Sequence, residues 1–145
     1  MSRMAARAAD TSLTYSNEPD LAVDAFIDAL RRSTLAERRP VGDRVRIARM
    51  LAQADITLCA RDARGLLVGV SRALTDYAYC CYLSDLAVDR AWQGGGIGRE
   101  LIRRTHEIAG PQSMLLLLSA PDAMTYYPHV GMRKSENAFT IPRQR

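Results

Sequence analysis

The stretch AWQGGGIGRE, residues 91–100, decides the fold because it joins a run of glycines directly to an amphipathic helix. Glycine costs backbone entropy and brings no side chain to pack, so four glycines within five positions indicate that the main chain itself has a task. From Ile97 onward the apolar residues recur at helical spacing, and the charged residues fall on the opposite side. We therefore expect the helix to begin inside the glycine run, where its first amides have no partner within the helix.

A helix that begins on bare glycines is suited to bind an anion, because unpaired N–H groups meet the positive end of the helix dipole there. Arg99 adds a positive charge to the first turn, where a bound diphosphate would offset it. A P-loop is excluded because Arg99 and Glu100, rather than a lysine and a hydroxyl residue, follow Gly98. The dinucleotide fingerprint also fails, since its third glycine is missing. A merely flexible turn would not explain why the helix starts within the run.

Composition indicates one soluble domain. The chain has 145 residues and a net charge of +4, and we expect a single domain over 1–145 with residues 1–12 as a frayed tail. Arginines dominate residues 31–49 without interleaved aromatic residues, so a solvated helical face is favoured, attraction to an anionic ligand comes second and nucleic-acid binding third. No apolar run reaches membrane-span length and no signal peptide is visible, so we expect a cytoplasmic protein without a membrane partner.

Three cysteines, Cys59, Cys80 and Cys81, lack the spacing of a metal site or a redox pair. They are interpreted as reduced, buried small hydrophobic residues. We therefore expect neither a bound metal nor a catalytic cysteine.

The patterning along the chain predicts an α/β fold. Thr14–Ser16 is a candidate first strand, and two helices follow, the first capped by Asn17 or Asp20 and the second covering 43–54. A hairpin and a third strand come next, then the helix opened by the glycines. The apolar run SMLLLLSA predicts a strand covered on both faces, followed by a short helix ending near Gly131 and a last strand at AFTIPR, residues 138–143.

The glycine stretch carries a resemblance to a known family. Gln93-x-x-Gly96-x-Gly98 is similar to the signature with which the GNAT superfamily of N-acyltransferases cradles the pyrophosphate of acetyl-coenzyme A. The segment AMTYYPHVGM resembles that family's late tyrosine segment and places Tyr127 at its tyrosine. The resemblance covers roughly residues 56–143. It implies a twisted mixed sheet of about six or seven strands flanked by about four helices.

The resemblance implies an acetyl-CoA-dependent N-acetyltransferase, in which the amine of a small molecule or peptide attacks the thioester directly. Tyr127 would be the general acid, and the amide of Val88 would stabilise the oxyanion. Asp85 is the best-placed carboxylate for a general base; it could equally be a hydrogen-bonded strand residue or part of a water relay. The residues implied for coenzyme binding are Leu86, Ala87, Val88, Gln93, Gly94, Gly95, Gly96, Ile97, Gly98 and Arg99.

The sequence departs from the family pattern in three places. Gln93 replaces the commoner arginine, Asp122 stands where many members have asparagine, and the 79–88 strand offers no glutamate as a base. The acceptor pocket is expected between the first two helices, the Leu74–Ala78 turn and the last strands, where Asp76 and Asp85 could attract a cationic amine. The competing hypothesis is a non-catalytic acyl-CoA-binding or regulatory module, and a homodimer remains open.

Overall fold

The chain follows the predicted order of helices and strands as far as its last helix. The structure, a computed structural model, describes residues 12–145, so the predicted tail lies outside the described residues except for Ser12. The strands are β1 (Thr14–Asn17), β2 (Ile56–Arg61), β3 (Leu67–Thr75), β4 (Cys80–Val88) and β5 (Met114–Leu116). The helices are α1 (Val23–Ser33), α2 (Arg44–Gln53), α3 (Ile97–Ala109) and α4 (Tyr126–His129).

The five strands form one sheet in the order β1-β2-β3-β4-β5. Neighbouring strands are antiparallel except β4 and β5, which run parallel and are connected through α3. The parallel pairing is short, since only Cys80–Tyr82 pair with Met114–Leu116. Beyond Tyr82 the two strands therefore separate, and this separation positions the functional site.

Helices cover both faces of the sheet. On one face, Phe26 and Leu30 of α1 and Ile47 of α2 are fully buried in a core cluster. On the other face, Ile97 and Leu101 of α3 fill a second cluster. Each such side chain contributes about 1.5–3 kcal/mol by leaving water, so the second cluster fixes α3, and with it the glycine run, against the sheet.

A close approach at Gly69 sets the height of α3 above β3. A Cβ atom at this position would lie 3.0 Å from Cγ2 of Ile97 and 3.1 Å from Cδ1 of Leu101. The missing side chain lets the first turns of α3 rest directly on the strand. The start of α3 is thus held by packing as well as by its own hydrogen bonds.

The predicted mixed α/β fold is confirmed with five strands instead of six or seven, because the last strand is wrong. Residues 138–143 are not in a strand, and Phe139 and Ile141 are 95% and 98% exposed. Two apolar residues at alternate positions favour a strand only where a neighbouring strand supplies pairing and cover. This segment has neither within the described residues.

The prediction that SMLLLLSA is covered on both faces is also wrong. The strand is only Met114–Leu116, it lies at the end of the sheet, and Met114 and Leu118 are 65% and 55% exposed. An apolar run indicates burial only if the topology places the strand inside the sheet. Here one side of the segment borders the opening between β4 and β5.

Three smaller expectations change. The first helix begins at Val23 instead of near Pro19, and the Asn17 side chain accepts a hydrogen bond from the Thr57 amide, 2.9 Å away, instead of capping that helix. Cys59 and Cys81 are buried thiols as predicted, but Cys80 is exposed. Adjacent strand residues point to opposite faces, and the face that Cys80 occupies is not covered.

Four of the seven arginines in the stretch 31–49 are exposed, as expected of a solvated helical face, and three are half-buried. Arg32 forms ion pairs with Asp28 and Asp89, and Arg44 pairs with Asp24. These arginines bind the protein's own carboxylates, so the stretch is not a continuous unpaired basic face. None of the helices within residues 12–145 combines the length and apolar character needed to cross a membrane.

Candidate active site

A cavity of about 750 Å³ opens where β4 and β5 separate. It extends from the glycine run to the connection between α1 and α2, and α4 borders it on a third side. Of the residues implied by the sequence, it brings together Leu86, Val88, Gln93, Gly94, Gly96, Ile97, Gly98, Arg99 and Tyr127.

The start of α3 presents bare amides to this cavity. Gly96 is the N-cap with φ of +85°, a conformation that favours glycine, and no side chain caps the helix. The Glu100 amide donates to the Gly96 carbonyl at 3.1 Å, so the amides of Ile97, Gly98 and Arg99 have no acceptor within the helix. Apart from the chain neighbours, no atom of residues 12–145 lies within 4 Å of a Cβ built at Gly94 or Gly96, so side chains leave the surface open at these two glycines.

Gly98 has a different reason to be glycine. A Cβ there would lie 2.1 Å from the hydroxyl oxygen of Tyr126, so α4 packs directly over the first turn of α3. The sequence indicates Gly98 only as part of the anion site and predicts no contact with Tyr126. The only available signal was the second tyrosine beside Tyr127, which does not reveal this long-range contact.

Two side chains flank the glycine run. Arg99 is exposed and donates to the His129 carbonyl at 3.3 Å, which connects α3 to α4. No carboxylate of residues 12–145 forms an ion pair with Arg99, so its charge adds to the positive end of the helix dipole. Gln93 donates from Nε2 to the Val88 carbonyl at 3.1 Å.

The peptide groups of β4 divide between the sheet and the cavity. The Asp89 amide donates to the Val68 carbonyl on β3 at 2.8 Å, and successive residues of a strand alternate sides. Val88 and Leu86 therefore turn their peptide groups away from β3, toward the gap beyond the short β4–β5 pairing. Ala87 is buried in the core and lies outside the cavity lining, as does the exposed Gly95.

A β-bulge lies where β4 leaves its pairing with β5. On β3, Arg72 pairs with Asp85 whereas Ala73 pairs with Leu83, so Ser84 is the extra residue on β4. A bulge bends its strand and strengthens the local twist. The bend lies at the point where β4 and β5 diverge and thus helps to open the cavity.

Tyr127 lies half-buried in the cavity wall. Its ring meets the Tyr126 ring edge to face, with centroids 5.2 Å apart. Burial raises the pKa of the Tyr127 hydroxyl above its usual value of 10.0, the neighbouring Tyr126 raises it further, and the charge of Arg39 partly offsets this. The hydroxyl therefore stays protonated at neutral pH, the form that a general acid requires.

Asp85 is fully buried and lies outside the cavity lining. One of its oxygens accepts from Nε of Arg39 and the other from Nε of Arg72. Of the alternatives left open by the sequence, the structure shows the hydrogen-bonded strand residue. Arg39 and Arg72 were missed because 46 and 13 residues separate them from Asp85, and no local pattern connects them.

The far end of the cavity is formed by Ser33–Arg39, between α1 and α2, together with part of β4. The Leu74–Ala78 turn predicted to line it does not do so. Asp76 of that turn accepts hydrogen bonds from the amides of Ala78, Tyr79 and Cys80, which lower its pKa to about 2. This carboxylate therefore stabilises its own turn and does not line the cavity.

Comparison with known proteins agrees with this fold. The chain matches the acetyltransferase (GNAT) domain over residues 53–133, more than half of its length. It therefore belongs to the GNAT acetyltransferase family, and this membership supports an acyltransferase activity. A comparison with curated proteins gave no significant match.

Three solved structures illustrate the similarity. An acetyltransferase from Trypanosoma brucei is 21% identical, with a TM-score of 0.66 over 91% of this chain and 100% of that one. An aminoglycoside acetyltransferase from an uncultured soil metagenomic sample, in complex with sisomicin, is 19% identical, with a TM-score of 0.69 over 92% and 96%. An aminoglycoside N-acetyltransferase in complex with CoA is 13% identical, with a TM-score of 0.70 over 92% and 96%. At these identities the likeness concerns the fold.

Proposed function

We propose that this protein transfers an acetyl group from acetyl-CoA to a primary amine of a small molecule or peptide. The observation that carries the proposal is the row of unpaired amides at the start of α3, open at one end of a cavity that continues along the separated part of β4. The complex of a structurally similar aminoglycoside N-acetyltransferase with CoA supports the choice of coenzyme.

The diphosphate of the coenzyme would bind to the amides of Ile97, Gly98 and Arg99, with the Arg99 side chain adding charge. The pantetheine arm would then run along β4 and pair with the peptide groups of Leu86 and Val88, in place of a neighbouring strand. Gln93 supports this path by holding the Val88 carbonyl. Gly94 and Gly96 leave the approach unobstructed.

The reaction would proceed by direct attack. The neutral amine nitrogen forms a bond to the thioester carbonyl carbon, and the carbon–sulfur bond then breaks. Because Val88 lies beside Gln93 at the diphosphate end, the Leu86 amide, further along β4, would donate to the oxyanion in place of the Val88 amide. The Tyr127 hydroxyl would give its proton to the departing thiolate. Holding both substrates in one cavity supplies much of the rate enhancement by removing the entropy cost of their encounter.

We propose a positioning role for Asp85 in place of general-base catalysis. Its two oxygens each accept from an arginine, and the side chain is fully buried outside the cavity lining, so it does not face the amine. That proton would leave through water in the open cavity. We further propose that the chain acts as a single domain, supported by the continuous sheet, and in a reducing cytoplasmic compartment, supported by its three free cysteines.

The test is release of free CoA from acetyl-CoA in the presence of a panel of amines, with acetyl-CoA affinity measured by calorimetry on the same protein. The proposal predicts binding of acetyl-CoA and amine-dependent release of CoA. Tight binding without turnover on any amine would indicate the non-catalytic acyl-CoA-binding module instead. Absence of binding would overturn both.

A further inference from the structure

The ion-pair cluster around Asp85 contains two arginines and one carboxylate. Arg39 and Arg72 both form ion pairs with Asp85, and within residues 12–145 neither has a second carboxylate partner. Two guanidinium groups thus share one carboxylate, and one positive charge is not neutralised. An uncompensated charge that is partly removed from water is costly unless a ligand provides its counterion.

This excess charge is exposed to the cavity through Arg39. The Arg72 side chain is 7% exposed, and its three nitrogens donate to Asp85, the Met50 carbonyl and the Ser84 hydroxyl. The Arg39 side chain is 22% exposed and lines the cavity. Arg39 is also held rigidly, since it donates to the Ser84 and Arg38 carbonyls at 2.8 Å each.

The coenzyme's diphosphate is not the missing counterion. Arg39 binds β4 at Ser84, whereas the glycine run meets the strand at Val88. Ser84 and Val88 are four positions apart on β4, a distance of about 13 Å at the usual rise per residue. The anion that Arg39 would bind therefore lies well away from the diphosphate, toward the acceptor end of the cavity.

The other charged groups of the lining do not reverse this conclusion. Glu37 and Asp122 line the cavity, but neither forms an ion pair with Arg39.

We propose that the acceptor carries a carboxylate beside its amine, and that Arg39 binds this carboxylate. The inference rests on the proposed acetyl transfer and specifies its substrate class as amino acids or related amino carboxylates. The three nitrogens of Arg39 donate to Asp85, the Arg38 carbonyl and the Ser84 carbonyl, which leaves one N–H on each terminal nitrogen for a carboxylate. Asp85 is then a positioning residue for the binding of the acceptor.

The experiment compares amino acids with the corresponding amino-acid amides, which keep the carbon chain and the amine but lack the carboxylate. Initial rates of CoA release are expressed per neutral amine, because amidation also lowers the pKa of the amine. We expect kcat/KM to be at least tenfold higher for the acids than for the amides because KM is lower. Arg39→Gln should abolish that preference. Arg31→Gln is the matched control, since Arg31 is exposed and outside the cavity lining.

Acetyl-CoA affinity is measured on each variant to separate this inference from the proposed function. Normal coenzyme binding with equal rates for acids and amides, or an acid preference that persists in Arg39→Gln, overturns the inference and leaves acetyl transfer standing. A second measurement applies if no amine is acetylated or if Arg39→Gln does not fold. The affinities of N-acetyl amino acids and of their amides for the wild-type CoA complex are then compared. Tighter binding of the acids supports the inference, and equal binding contradicts it.

Discussion

The two ends of the cavity are built in different ways. The end proposed for the coenzyme, called the coenzyme end below, is bordered by main chain, namely the unpaired amides of α3 and the peptide groups of β4. The acceptor end is made of side chains from distant segments, with Arg39 of the α1–α2 connection held on β4 by Asp85. The difference teaches that a backbone site depends on local conformation, whereas a side-chain site depends on the whole fold.

Removing the central carboxylate of the acceptor end should have the largest effect. We expect Asp85→Ala to lower the free energy of unfolding by about 3–5 kcal/mol, because two buried or half-buried guanidiniums lose their counterion. Urea unfolding measures this, and Asp20→Ala, an exposed carboxylate, should change stability by less than about 0.5 kcal/mol. A similarly small loss for Asp85→Ala would show that the arginine cluster is solvated and does not organise this end.

Tyr127, which lines the same cavity, should affect the rate and not coenzyme affinity. We expect Tyr127→Phe to lower kcat about 100-fold, the lower range for loss of a general acid, with acetyl-CoA affinity unchanged. Steady-state CoA release and calorimetry on the same preparation measure the two quantities. If Tyr126→Phe shows the loss of kcat and Tyr127→Phe does not, the acid is assigned to the wrong tyrosine.

A single substitution in the glycine run should alter the coenzyme end. Gly96→Asp should weaken acetyl-CoA binding at least about tenfold, or about 1.4 kcal/mol, because a carboxylate would occupy the place of the diphosphate. Aspartate tolerates left-handed φ better than most residues, which limits the cost to folding.

The matched control is Gly65→Asp. Gly65 has the same φ of +85° and equally open surroundings, but it lies in the β2–β3 turn, outside the cavity lining. It should lose similar stability and bind acetyl-CoA normally. Equal coenzyme affinity in the two variants would refute a backbone anion site.

The pH dependence should show the smallest effect. Tyr127 acts in its protonated form, and burial raises its pKa above 10.0, so loss of the acid is shifted to higher pH. We expect kcat to show no falling limb below about pH 10. A fall centred below that value in the wild type, and absent in Tyr127→Phe, would contradict the role of burial at this residue.

The coenzyme end was predictable from the sequence because its information is local. The spacing of the glycines and the apolar residues after Ile97 predicted where α3 begins, and the structure starts the helix there. The order of elements followed from periodicity in the same way. The tyrosine segment predicted Tyr127 as the general acid; Tyr127 lines the same cavity as the glycine run, and its role stays a prediction.

The acceptor end was not predictable because its contacts join residues far apart in the chain. No sequence pattern near Asp85 predicts that Arg39, 46 residues earlier, donates a hydrogen bond to one of its oxygens. The contact between Tyr126 and Gly98 is hidden for the same reason. The prediction that the apolar run at β5 is covered was wrong for a different reason, since the burial of this run depends on whether another strand lies beyond it.

The most direct test of the central claim is a crystal structure of the protein with CoA. The account predicts diphosphate oxygens at about 3 Å from the amides of Ile97 and Gly98, with the pantetheine arm alongside Leu86 and Val88. Its sulfur should end near the Tyr127 hydroxyl. A diphosphate bound elsewhere, with the amides at the start of α3 facing only water, would contradict the account.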